Sequence, residues 1–124
     1  MLILDTSAVI EVFKETQKGK EILKVIGSDE LSITTFTVHE LLVGIRESEV
    51  LKIQGFLTSV KIFSFDPPSA VQSAKVERQL SSKGKKIEES DVLIAGICIA
   101  NNSKLITLDK GFSGISLLDA IIIK

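Results

Sequence analysis

Apolar residues along this chain recur in two modes, short continuous runs and stretches spaced three or four residues apart. They read as buried strands and as the inner faces of helices. The first run, Leu2-Ile3-Leu4, passes through Asp5-Thr6-Ser7 into Ala8, Val9, Ile10, Val12 and Phe13 at helical spacing. That pattern predicts a strand running straight into a helix, with Asp5 at the junction. A second helix over Gln17 to Ile26 carries Ile22, Leu23 and Ile26 inward and stops at Gly27. Leu31 to Ile33 is a short strand. Thr34 to Thr37 leads into a helix with Val38, Leu41, Leu42 and Ile45 on one face, and another helix follows over Glu47 to Val60 with Val50, Leu51, Ile53, Phe56 and Leu57. Lys61 to Phe65 reads as a strand, and Asp66-Pro67-Pro68 as the turn that opens a helix reaching Ser82. A basic loop, Ser82 to Lys86, precedes a very apolar helix from about Glu89 to Ala100. Lys104 to Leu108 is then a strand delivering Asp109 into an Asp-Lys-Gly turn, and Ile115 to Ile123 holds the last strand. About five short strands alternating with helices predict a mainly parallel central sheet with right-handed crossovers, a three-layer α/β/α sandwich.

Size and composition narrow the class. The 124 residues suit one domain over 1–124, large enough to remove roughly two thirds of its unfolded surface from water. Hydrophobic residues make up 44% and mean hydropathy is +0.33, but the longest apolar stretch, Val92 to Ala100, is far short of the ~20 residues of a membrane span. A soluble chain without a membrane partner is expected. The start lacks the pattern of a secretory signal, and Cys98 is the only cysteine, so no internal disulfide can form and a reducing cytoplasm fits best. The net charge of −1 argues against a broad electrostatic grip on nucleic acid, which needs many Lys and Arg against phosphates. Any such contact is expected to be local.

Four acids stand out by position. Asp5 ends the first strand, Glu40 lies early in the third helix, Asp91 opens the apolar helix and Asp109 ends a late strand. Each has an ordinary structural role available. Asp5 suits a helix cap, Thr37-Val-His-Glu40 has the spacing of a capping box, Asp91 complements a helix dipole and Asp109 suits a turn. All four, however, fall at element boundaries on one side of the expected sheet, where the carboxyl ends of parallel strands border a ligand crevice. Like charges gathered there repel unless cations hold them, and an all-oxygen set suits Mg²⁺ or Mn²⁺ rather than zinc.

At these residues the sequence resembles the PIN-domain ribonucleases and, among them, the small VapC-type toxins of toxin-antitoxin pairs. The resemblance spans nearly the whole chain and is carried by Leu4-Asp5-Thr6-Ser7, by Thr37-Val-His-Glu40-Leu-Leu-Val-Gly44, by Asp91-Val-Leu-Ile-Ala95 and by Leu105-Ile-Thr107-Leu-Asp109-Lys-Gly-Phe112. It implies a PIN-like fold and an acidic quartet of Asp5, Glu40, Asp91 and Asp109 as catalytic and metal-binding residues, with Ser7 and Thr107 as polar neighbours. Asp109 is the position that varies in the family. The implied chemistry is hydrolysis of RNA phosphodiester bonds assisted by one or two Mg²⁺ or Mn²⁺ ions. The implied partners are an RNA substrate and an antitoxin protein that contributes an Arg or Lys to the acidic site.

No nucleophile pair competes with this chemistry. His39, next to Glu40 on a helix, points about 100° away from it and suits a surface or partner contact; Cys98, between two isoleucines, suits the core. Lys83, Lys85, Lys86 and Lys110 are candidate RNA contacts, with solvated surface as the ordinary alternative. The chain has no Trp or Tyr, and most of its phenylalanines fall in core patterns, so base stacking has little to use. The apolar faces over Val38 to Ile45 and Val50 to Leu57 exceed what one small core needs, which predicts a homodimer and a groove for a partner segment. Two other classes remain open. One is a PIN-like module that binds protein without catalysis; the other is a different Mg²⁺-dependent phosphoryl-transfer enzyme of doubly wound fold.

Overall fold

The computed structural model describes the whole chain, Met1–Lys124. Its strands are β1 (Leu2–Leu4), β2 (Leu31–Thr34), β3 (Lys61–Phe63), β4 (Lys104–Thr107) and β5 (Ala120–Ile122). The helices are α1 (Thr6–Phe13), α2 (Gln17–Ile26), α3 (Thr35–Gly44), α4 (Val50–Ser59), α5 (Pro67–Ser82) and α6 (Glu89–Ala100). The strands form one sheet in the order β3-β2-β1-β4-β5, with every neighbouring pair parallel.

Side-chain alternation in the strands builds the layers. Leu2 and Leu4 of β1 face one cluster with Ala8 and Val9 of α1, Ile22 and Ile26 of α2, and Leu41 of α3. Ile3, between them, faces the other cluster with Val76 and Leu80 of α5 and Val92, Ala95, Ile97 and Cys98 of α6. β4 repeats the split, with Leu105 on the α5/α6 face and Ile106 on the α1/α2 face. Full burial of each such aliphatic side chain contributes about 1.5–3 kcal/mol, so both faces of the sheet hold their helices. The α5/α6 pair is close-packed at Gly96, where a Cβ would stand only 2.6 Å from the Ser69 carbonyl oxygen and 2.6 Å from the Ser73 Cβ. Any larger residue there would push α6 off α5.

Connections from β1 run outward through β2 to β3 on one side; β4 then inserts on the other side of β1. The sheet order therefore reverses between β1 and β4. In open parallel sheets the crevice at the carboxyl ends of such a strand pair is where ligands bind, and Asp5 and Asp109 lie just beyond these two ends.

β2 runs one residue further than expected, to Thr34, and β4 stops one residue earlier, at Thr107; three elements differ more from the sequence expectation. The helix expected over Glu47 to Val60 divides into a 3-10 turn, Glu47–Glu49, and α4, because the Arg46 amide donates to Glu49 Oε1 at 3.1 Å and tightens the first turn. β3 stops at Phe63, not Phe65: its last register partner is Thr34, beyond which β2 turns into α3 and offers nothing to pair with. The last strand is confined to Ala120–Ile122, since the segment before it is taken up by a 3-10 turn over Lys110–Gly114 and irregular backbone. α4 is held to α1 through Phe13: Lys52 Nζ lies 4.4 Å from its ring centroid, and the Phe56 ring meets it edge-on at 6.5 Å. Even so, Leu42, Val43 and Leu51 remain exposed, Leu51 at 82%. No helix is long and apolar enough to cross a membrane.

Candidate active site

β1 and β4 end side by side, and two hydroxyls join their ends around Asp5. The Asp5 amide continues the sheet by donating to the Ile106 carbonyl at 3.1 Å. Its side chain caps α1, with Oδ1 accepting from the Ala8 amide at 3.0 Å and the Ser7 hydroxyl at 2.7 Å. Oδ2 accepts from the Thr107 hydroxyl at 2.5 Å. Each hydroxyl also accepts a backbone amide from beyond β4, Ser7 from Leu108 at 3.1 Å and Thr107 from Asp109 at 2.9 Å. Ser7 and Thr107, the polar neighbours implied by the resemblance, thus fix the Asp5 carboxylate in place. Only 7% of Asp5 is exposed. Burial raises its pKa above the ordinary 3.8 even though three hydrogen bonds act to lower it, and the nearby Asp109 carboxylate adds to the rise.

Asp91 lies half-buried in the first turn of α6. Its pKa is pushed up to about 6, chiefly by burial and then by Asp109, Glu88, Asp5 and Glu40 in turn. Four like charges thus act on one carboxyl group, and no donor offsets them. Asp109 is exposed; Oδ1 accepts from the Gly111 amide at 2.8 Å, so the turn role foreseen for this residue is real and occupies one of its two oxygens.

Glu40 is not a capping residue. α3 begins at Thr35 with Thr34 as its N-cap, whose hydroxyl accepts from the Thr37 amide at 3.4 Å. The cap therefore sits one turn earlier than Thr37, and Glu40 lies past the first turn, outside any capping box. Its carboxylate instead meets Thr6 of α1, whose hydroxyl donates to Oε1 at 2.9 Å.

The quartet expected from sequence lines a single open cleft of ≈ 170 Å³, whose wall is Asp5, Thr6, Ser7, Glu40, Glu88, Asp91, Ile94 and Asp109. Thr6 and Glu88 are additions that the sequence reading did not single out. Both had a local signal: Thr6 directly follows Asp5, and Glu88 precedes Asp91 by three residues, which puts the two on one face of a helical turn. Glu88 is the N-cap of α6 yet makes no capping hydrogen bond, leaving its carboxylate to the cleft. The one ion pair in the molecule, Lys104 to Asp119 at 3.9 Å, is at the opposite end of β4. The cleft's five carboxylates thus have no basic partner.

Oxygen donors without a counter-charge are what a hard divalent cation takes. No three of these side chains are already drawn together around one point.

None of the basic candidates is in the cleft wall. Lys83, Lys85 and Lys86 occupy the exposed α5–α6 loop. Lys85 Nζ is 3.9 Å from where a Cβ on Gly114 would lie, so this loop rests against the turn that follows Asp109. Lys110 is exposed at the start of that turn. His39 is exposed on α3 and absent from the cleft wall. Cys98 is wholly buried, and burial drives its thiol pKa up to about 12. On the other side of Glu40, a second hollow of ≈ 130 Å³ between α1, α3 and α4 is lined by Ile10, Phe13, Leu41, Ile45 and Ile53 among others. Glu40 borders both spaces.

Comparison with known proteins agrees with this architecture. The chain is 31% identical over 114 residues to Ribonuclease VapC2 of Haemophilus influenzae, covering 81% of this chain and 85% of that protein. It is 32% identical over 112 residues to Ribonuclease VapC1 of Methanocaldococcus jannaschii, covering 88% and 76%. Among solved structures, a chain of the Rickettsia felis VapBC2 complex bound to a promoter DNA fragment superposes with a TM-score of 0.86 at 24% identity, over 99% of this chain and 98% of that one. FitAcB of Neisseria gonorrhoeae contains a chain with a TM-score of 0.84 at 22% identity, over 98% and 96%. The PIN-domain family profile matches residues 2–123, and the chain belongs to that family.

Proposed function

We propose that this protein is a metal-dependent endoribonuclease, the toxin of a toxin-antitoxin pair. The observation that carries the proposal is the cleft at the β1/β4 switch point, where Asp5, Glu40, Asp91 and Asp109 stand together without a basic partner in a chain whose relatives at 31% and 32% identity are ribonucleases.

Asp5, Glu40, Asp91 and Asp109 are the residues that would hold the cation. A bound Mg²⁺ or Mn²⁺ supplies water activation and neutralises phosphate charge. The protein supplies position. Asp5 is held by Ser7, Thr107 and the Ala8 amide, so its carboxylate costs little reorganisation. Asp91, with a raised pKa and no protein donor, is free to take a cationic partner. The chain's only histidine and only cysteine are both outside the cleft, so no Cys–His or Ser–His pair stands there. Lys110 follows Asp109 directly, and Lys85 of the exposed Lys83–Lys86 loop rests against the same turn, so these lysines are suited to the phosphates of an RNA strand leaving the cleft.

The partner is an antitoxin protein, a reading supported by structural neighbours that are VapBC complexes. The exposed Leu42, Val43 and Leu51 support a homodimer through the α3 and α4 region. A reducing cytoplasm suits a chain whose single thiol is buried.

Expression in a bacterial host beside an Asp5→Asn control tests the function. Growth arrest with cut RNA is expected only for the unmodified chain, and purified protein should cleave RNA with Mg²⁺ or Mn²⁺ but not in excess EDTA. Cleavage that survives EDTA, or arrest that persists in the Asp5→Asn strain, would overturn the mechanism.

A further inference from the structure

Glu40 is the one member of the quartet whose place in the cleft is not explained by its own backbone. Asp5 is buried and capped, Asp91 is half-buried at a helix start and Asp109 is held by its turn. Glu40 is an exposed residue past the first turn of α3 with a long, flexible side chain. No side chain or amide of α3 donates to its carboxylate directly. Its carboxylate has one protein donor, the Thr6 hydroxyl, 2.9 Å from Oε1.

Thr6 is placed to do this by two constraints. It is the first helical residue after the Asp5 cap, so its position is fixed by the same junction that fixes Asp5. Its hydroxyl also lies 3.1 Å from the hydroxyl of Thr37, which is fully buried one turn before Glu40 on α3. A hydroxyl has one proton and cannot serve two acceptors at once. When Thr6 donates to the carboxylate, Thr37 donates to Thr6, giving a chain from Thr37 through Thr6 to Glu40. Such chains polarise each member and strengthen the last bond, which here ends on a charged acceptor.

Resting on the metal-dependent reading above, we infer that Thr6 is the positioning residue for Glu40: its hydroxyl holds the Glu40 carboxylate at the cleft wall, beside the other acids that would share a cation. Partners that orient metal-binding side chains in this way change cation affinity by about 10–100-fold when removed.

The test is Mn²⁺ binding to the purified full chain, followed by the electron paramagnetic resonance of the free ion. Thr6→Val, which keeps the shape and removes the hydroxyl, should weaken Mn²⁺ binding by about 10-fold, while Thr6→Ser, which restores the donor, should stay close to the unmodified chain. In a Glu40→Gln background Thr6→Val should add no further loss. Far-UV circular dichroism checks folding, and Thr6→Ala carries the same comparison if the valine variant does not fold. Unchanged Mn²⁺ affinity in Thr6→Val, a serine variant as weak as the valine one, or an undiminished Thr6→Val effect in the Glu40→Gln background each overturns the inference. An unmodified chain that binds no Mn²⁺ overturns the metal reading as well; one that binds normally and loses binding with Asp5→Asn, but not with Thr6→Val, leaves that reading standing and removes only Thr6.

Discussion

Asp5 and Asp66 start two helices in almost the same way, yet their carboxyl groups shift in opposite directions. Each accepts the amide three residues on at 3.0 Å, Ala8 for Asp5 and Ser69 for Asp66, and each accepts a nearby serine hydroxyl, Ser7 at 2.7 Å or Ser69 at 2.6 Å. Asp66 is in solvent, and the Ser69 hydroxyl and amide hold its pKa below 3.8. Asp5 has a further donor, Thr107, and its pKa is nevertheless raised, because burial outweighs all three bonds and Asp109 is close by. A cap needs no burial, as Asp66 demonstrates. Asp5 is therefore kept in a place that makes its charge costly, and capping does not account for that cost. The cation proposed for the cleft would offset it.

The contrast can be broken most sharply by removing charge at both sites. Asp5→Asn should lower RNA cleavage by at least on the order of 10²-fold, whereas Asp66→Asn should leave the rate unchanged; rates measured on a labelled RNA with Mg²⁺ check both. Because Asn caps a helix about as well as Asp, an undiminished rate in Asp5→Asn would mean that Asp5 matters only as a cap. Glu40→Gln should also cost at least on the order of 10²-fold in rate. Because Thr34 supplies the cap of α3, this variant should melt no lower than the unmodified chain without metal.

Smaller effects separate the sites through stability. Mn²⁺ at about 100 times its dissociation constant should stabilise the chain by about 2.7 kcal/mol, seen as a higher melting temperature. Asp5→Asn should abolish that gain and Asp66→Asn should not. In the metal-free protein, Asp91 binds its proton more tightly when folded, at about 6, than at the ordinary 3.8. Folding is then favoured by protonation, so stability should rise as pH falls from neutral through about 6 and level off near 3.8. Asp5 shifts in the same direction. Melting curves of Asp91→Asn, compared with the unmodified chain across this range, should show a flatter rise. Asp66 has the opposite sign. Its stabilisation is present above 3.8 and fades as pH falls through its lowered value, so Asp66→Ala should melt a few degrees lower at neutral pH with activity intact.

Much of this site was legible because strand and helix boundaries were. Leu2 to Leu4 is an apolar run that ends on Asp5, and the strand expected over Lys104 to Leu108 ends on Asp109, so both acids could be placed at strand ends from sequence, although β4 itself stops at Thr107. α5 and α6 agree with their expected ranges because Pro67-Pro68 and Asn101-Asn102 punctuate them. The misplaced features depend on partners distant in sequence. β3 is shortened by where β2 stops, which no property of Lys61 to Phe65 encodes. Thr37 and Glu40 have the spacing of a capping box, and only the start of α3 at Thr35 shows that Thr34 has that role. Thr6 passed as one more hydroxyl near a helix start; its contact with Glu40, 34 residues away, follows from the packing of α1 against α3. Glu88 was not singled out from sequence, because its place in the cleft wall without capping its helix depends on the packing around the start of α6.

Cys98 gives this fold an internal clock. It is the only thiol, it lies at 0% exposure on the α6 face that packs against the sheet, and its high pKa leaves almost no thiolate at neutral pH. A thiol reagent therefore reaches it only in molecules whose α6 has come away from the sheet. The labelling rate of the unmodified chain times the opening of the helix that carries Asp91. Occupancy of the cleft at one end of that helix should lengthen the interval between openings.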